Sequence, residues 1–143
     1  MSRPLSIDAA LETLLAQARQ AAEHAYAPYS GFRVGAALLL ASGETVVGAN
    51  VENASYGLTI CAERSALVAA VSRFGPSIRI RAAAVANLNG AASPPCGACR
   101  QMLAEFAERQ APVAFPGSDG TAVRRFDQLL PESFWLMPPD SAG

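Results

Sequence analysis

The chain has 143 residues, of which 51% are hydrophobic and 16% charged, with a formal net charge of −1. That length and composition fit one domain with a packed core and exclude a disordered chain. All eleven basic residues are arginines, and only Arg124 and Arg125 are adjacent, so no basic cluster marks a nucleic-acid partner.

In chain order, apolar Leu11, Leu14, Leu15, Ala18, Ala22 and Ala25 recur at three- and four-residue steps. They predict an amphipathic helix over about 7–25 behind a Ser6 or Asp8 cap. Ala27-Pro28-Tyr29-Ser30-Gly31 breaks it. Strands follow at about 33–41 and 44–51, and Ser42-Gly43 between them reads as a hairpin turn. Their apolar residues on both faces predict a sheet covered on both sides. The run Val34 to Ala41 is much too short to cross a membrane. The first residues lack the apolar core of a signal peptide, so a cytoplasmic location is expected.

A second helix is predicted from Cys61 to Phe74, ending at Gly75-Pro76, then a strand over 78–87. Pro94-Pro95 introduces a third helix over 97–109. Strands at 112–116 and 121–125 flank the turn Pro116-Gly117-Ser118-Asp119-Gly120. The Pro-rich tail from Phe134 through Trp135, Leu136, Met137, Pro138 and Pro139 is expected to lie over other parts of the chain. No repeat or linker divides the sequence, so residues 1–143 are treated as one unit. The order points to an α/β fold, a three-layer α/β/α sandwich with a mixed five-stranded sheet.

Three cysteines cannot pair among themselves, and a reducing compartment disfavours disulfides. Two of them form Pro95-Cys96-Gly97-Ala98-Cys99, and the third opens Cys61-Ala62-Glu63-Arg64. A helix of this length carries the chain roughly 20 Å from Cys61, at about 1.5 Å per residue. The next strand returns it over a similar distance at about 3.3 Å per residue, so all three thiols can converge. Three thiolates suit zinc and leave its fourth position free, the arrangement of a catalytic site. Two helix N-termini and an arginine, Arg64 or Arg100, would offset the excess negative charge. Glu63, two residues from Cys61, is placed to shuttle protons while the metal activates water. His24 reads as a solvated residue of the first helix. Separately, each piece has a plain reading: a redox Cys-x-x-Cys, a buried thiol, a helix-terminal carboxylate. Together they match the signature of zinc-dependent deaminases, with cysteine in place of histidine.

Longer segments carry a closer likeness. YAPYSGFRVGAAL at 26–38, GANVENASYGLTICAERSA at 48–66 and PPCGACRQMLAEF at 94–106 resemble the cytidine deaminases of the small homotetrameric class with three cysteine ligands. QLLPESF at 128–134 is a weaker match. The resemblance implies one Zn2+ per subunit on Cys61, Cys96 and Cys99, with Glu63 as the proton shuttle. It also implies that Phe32 packs on the pyrimidine ring, Asn50 and Glu52 bond the ribose hydroxyls, and the backbone at Ala62 meets the base. Arg64 would donate to the zinc thiolates, and Tyr56 and Phe134 would reach a neighbouring subunit's site. The expected reaction is hydrolysis of cytidine and 2′-deoxycytidine to the uridine products and ammonia, in pyrimidine salvage. The partners expected are a nucleoside and further copies of the chain, with no membrane. Departures from the family pattern fall at Gly31, Arg33, Gly57, the 115–120 turn and the tail, which touch the substrate rim and the interface. Deamination of another aminated pyrimidine, such as a blasticidin-like nucleoside antibiotic, shares the same metal chemistry. A non-catalytic zinc module would need a fourth protein ligand, and none is evident.

Overall fold

The structure, a computed structural model, describes residues 8–136; Ser6 and the tail beyond Leu136 lie outside them. Asp8 caps the first helix, α1 (Ala9–Ala22), by accepting from the Leu11 N–H at 2.9 Å. The helix stops at Ala22, short of the expected 25. The chain turns there, and Tyr26 forms an isolated parallel bridge with Val51. His24 is exposed in that turn, just past the helix on which it was expected.

β1 (Val34–Leu40) and β2 (Thr45–Ala49) form the expected antiparallel hairpin around residues 41–44. A 3-10 turn at Tyr56–Leu58 precedes α2 (Ala62–Phe74), which Gly75 ends. β3 (Ile80–Asn87) leads into α3 (Gly97–Ala104); β4 (Pro112–Gly117), β5 (Gly120–Arg125) and a single turn of helix, α4 (Phe126–Leu129), follow. Five strands lie in the order β2-β1-β3-β4-β5, with β3 and β4 parallel and the other pairs antiparallel.

α3 ends five residues earlier than the helical pattern suggested, because the chain beyond it pairs with β3. The Ile80 N–H donates to Phe106 O and the Glu108 N–H to Ile80 O. Arg79 donates to the Glu105 and Ala107 carbonyls close to the helix end, where a cation is favoured.

Two cores lie on opposite faces of the sheet, as the two-sided apolar pattern predicted. Ala36, Leu38, Leu40, Val46, Ile80, Val85, Val113 and Phe115 pack beneath α2 and α3. Ala37, Ala82, Ala84, Ala86 and Ala114 meet Leu11, Leu14 and Ala18 of α1. A bulge between Leu39 and Leu40 lets Ile80 pair out of step, so Ile80 and Ala82 face opposite layers. Each fully buried large aliphatic side chain contributes about 1.5–3 kcal/mol, so the α2/α3 layer holds most of the hydrophobic stabilisation.

The hairpin is gripped from both sides at two glycines. A Cβ on Gly35 would lie 1.9 Å from Ala18 O of α1, and one on Gly48 would lie 2.4 Å from Ala66 N of α2. Both obstacles are backbone, which cannot yield as a flexible side chain would. Gly48 therefore sets how closely the first turns of α2 approach the sheet.

Candidate metal and substrate site

α2 and α3 begin side by side because α2 leads away from Cys61 and β3 returns the chain to the same end of the sheet. Cys61 and Cys96 are the N-cap residues of these helices, both in extended conformation, and neither thiol caps a backbone N–H. Cys99 lies one turn into α3 and is fully buried. The three Sγ atoms all lie within 4.8 Å of one another, with Cys61–Cys96 at 3.9 Å and Cys96–Cys99 at 3.4 Å. Sulfurs about 2.3 Å from a tetrahedral zinc would stand about 3.8 Å apart, so the trio is grouped at the spacing that ion requires.

The close approach of the sulfurs makes their proton affinities unequal. The Cys61 thiol is pulled down to about 5, first by its hydrogen bond with Cys99 and then by Arg64. Cys99 is pushed up by the same hydrogen bond and by burial. Arg64 Nη2 lies 3.6 Å from Cys61 Sγ and 3.2 Å from the Thr59 carbonyl. Arg100 does not serve the sulfurs: Nε donates to Pro95 O at 2.7 Å and Nη1 to Leu129 O at 2.9 Å. It ties the start of α3 to the end of α4.

Glu63 is 6% exposed, and burial raises its pKa above the ordinary carboxylate value. Its side chain lines a cavity of about 180 Å3 together with Phe32, Asn50, Cys61, Ala62, Ser93, Pro94 and Cys96. That volume is below the ~300 Å3 at which pockets for drug-sized ligands begin, so it suits a single small ring. Thr59 connects it to a second cavity of about 370 Å3, lined by Tyr29, Ser30, Glu52, Asn53 and Tyr56. Two larger surface hollows by the 117–121 turn bring together no comparable ligating group.

Asn50 is 8% exposed and largely committed to backbone: Nδ2 donates to Phe32 O and Oδ1 accepts from the Val34 N–H, both at 2.8 Å. One N–H and one lone pair remain for a ligand. Glu52 accepts from the Tyr29 and Ser30 N–H groups at 3.0 and 3.1 Å and from the Ser30 hydroxyl, which keeps its pKa low. Tyr56 is 82% exposed. Phe134, 69% exposed, lines neither cavity of its own chain. Trp135 packs against the core, so part of the tail is anchored as expected. Sequence reasoning missed the roles of Arg100 and Asn89. The arginine after Cys99 was visible but considered only as an alternative to Arg64 at the sulfurs, and nothing local marks Asn89.

A zinc-dependent deaminase is the class that this thiol trio, set beside a buried carboxylate on a mixed α/β/α sheet, defines. Comparison with known proteins narrows it. The sequence profile described as "cytidine and deoxycytidylate deaminase zinc-binding region" matches residues 9–114, and the chain belongs to that family. It is 46% identical to a cytidine deaminase of Halalkalibacterium halodurans over 124 residues, covering 86% of this chain and 92% of the relative. A Mycobacterium tuberculosis cytidine deaminase is 45% identical over 123 residues, 86% of this chain and 88% of the relative. The crystal structure of cytidine deaminase from that organism superposes with a TM-score of 0.78 at 42% identity, covering 90% of this chain and all of that one. The cytidine deaminase of Burkholderia pseudomallei gives 0.77 at 42% identity, over 86% and 98% of the two chains.

Proposed function

We infer that this chain hydrolyses cytidine to uridine and ammonia as a zinc-dependent cytidine deaminase. The observation that carries the reading is one small cavity on which Glu63, two of the three thiols and the Phe32 ring all open. The relatives, at about 45% identity over most of the chain, support the same substrate. Cys61, Cys96 and Cys99 would hold the zinc, which supplies Lewis-acid activation of water when bound.

The protein's own groups do the rest. Burial raises the Glu63 pKa above the ordinary carboxylate value, which makes it a stronger base toward the attacking water. It takes one proton from the attacking water and passes it to the ring nitrogen. It then takes the second from the hydroxyl added at carbon 4 and delivers it to the departing amine. Water adds at carbon 4, the carbon–nitrogen bond breaks, and ammonia leaves. The Phe32 face supports the flat base, Ala62 meets its edge through the backbone, and Asn50 and Glu52 take the sugar hydroxyls. Arg64 stabilises the Cys61 thiolate.

The finer reading extends to 2′-deoxycytidine, to pyrimidine salvage and to the cytoplasm. No described helix is long and apolar enough to cross a membrane. A homotetramer with shared sites is supported by the exposed Tyr56, Leu58, Ile60, Val51 and Phe134, apolar side chains in need of a partner surface. The decisive test follows the ultraviolet absorbance of cytidine with zinc-loaded protein and with Glu63→Ala. The variant should keep its zinc and lose about 10²–10⁴ in kcat. Near-normal turnover would remove Glu63 from the reaction, and no turnover by the wild type would remove cytidine as the substrate.

A further inference from the structure

Phe32 stands in the loop before β1, and its peptide groups are held from two directions. Asn50, just past β2, binds the Phe32 carbonyl and the Val34 N–H. Asn89, two residues past β3, repeats that grip one residue earlier: Oδ1 accepts from the Arg33 N–H and Nδ2 donates to the Gly31 carbonyl, both at 3.0 Å. The Phe32 N–H donates to the Ser30 hydroxyl at 2.9 Å. Gly31 adopts φ +70°, a conformation other residues rarely take, in the turn where Asn89 reaches its carbonyl.

Asn89 is itself anchored. Its N–H donates to Asn87 Oδ1 at 3.0 Å, and Asn87, only 5% exposed, donates to Ala91 O and Ser93 Oγ at 2.8 Å. Ser93 lines the same small cavity as Phe32. One polar chain therefore runs from the peptide groups around Phe32, through Asn89 and Asn87, to another part of the cavity wall. Asn89 lines no part of that cavity.

We propose that Asn89, anchored on Asn87, is a positioning residue that fixes the Phe32 ring against the base. The proposal rests on the reading of Phe32 as the stacking face of a cytidine deaminase. An amide is suited to the task because it presents a donor and an acceptor in one plane, matching a carbonyl and an N–H two residues apart. Its loss frees the loop to swing, which weakens binding of the base while leaving the metal ligands and Glu63 in place.

The test is steady-state kinetics on cytidine, with calorimetric binding of uridine as a readout that needs no turnover. Losing two hydrogen bonds, Asn89→Ala should raise KM and the uridine Kd about fivefold, with kcat within about twofold of wild type and zinc content unchanged. Asn89→Asp keeps the acceptor for the Arg33 N–H but loses the donor to Gly31 O, so its shift should be smaller. It also carries the comparison if the alanine variant fails to fold. In a Phe32→Ala background, Asn89→Ala should change KM no further, since its effect passes through the ring. An unmoved KM, or fully additive effects in the double variant, would overturn the proposal. A wild type that leaves cytidine untouched would instead fail the underlying reading, and the role of Asn89 with it.

Discussion

The two connected cavities differ in how firmly their lining residues are held. Around the sulfurs, the lining sits on helix starts, a buried carboxyl and an asparagine-held loop. Around Glu52, the lining includes Tyr56 on a short, exposed 3-10 turn, and Phe134 is not among the lining residues. The inner cavity needs precision because bonds break there, and precision comes from rigid elements with satisfied backbone groups.

That contrast can be broken from its strong side first. Cys99→Ala should strip the zinc, reduce activity to background and lower thermal stability, because metal-binding free energy is also folding free energy. Zinc analysis beside a thermal melt decides it, and a stable, metal-loaded variant would contradict the ligand assignment. Next is Gly48→Ala. Its methyl would press on the backbone of α2 beneath Cys61 and Glu63, costing about 1–3 kcal/mol by overpacking and reducing kcat as well. A denaturant titration showing no loss would mean that α2 shifts freely. The smallest effect is expected at the outer cavity. Tyr56→Ala should change single-chain stability by no more than about 0.5 kcal/mol, as an exposed site does. It should still raise KM and weaken the assembly seen by sedimentation. Unchanged KM and unchanged sedimentation would leave Tyr56 outside both the site and the interface.

The inner cavity was also the more legible. Cys61-x-Glu63 and Pro95-Cys96-x-x-Cys99 announce their chemistry by residue type, and the helix–strand return between them could be reckoned from element lengths. The layers of the sheet followed from apolar residues on both faces of β1 and β3. The end of α3 was not legible, because residues 105–109 continue a helical pattern and only pairing with Ile80 pulls them out. Nor was α4, a single turn whose Gln128 side chain accepts from the Arg125 N–H. The asparagine clamps were hidden for a different reason. Asn50 and Asn89 have the look of ordinary turn residues, and their partners lie 16 to 18 and 56 to 58 positions away. The role of Arg100, offered with Arg64 as a partner for the sulfurs, was not legible because proximity in sequence to Cys99 says nothing about which way a long side chain runs.

The two glycines under the helices carry a warning for anyone mapping this enzyme by random mutagenesis and selection. Gly35 and Gly48 bear no functional group, yet nearly every replacement there must drive a helix off the sheet. Survivors of such a selection would keep both glycines as strictly as the cysteines. A map of intolerant positions would then mark two residues with no part in the chemistry, and telling them from the proton shuttle would require assaying soluble yield separately from turnover.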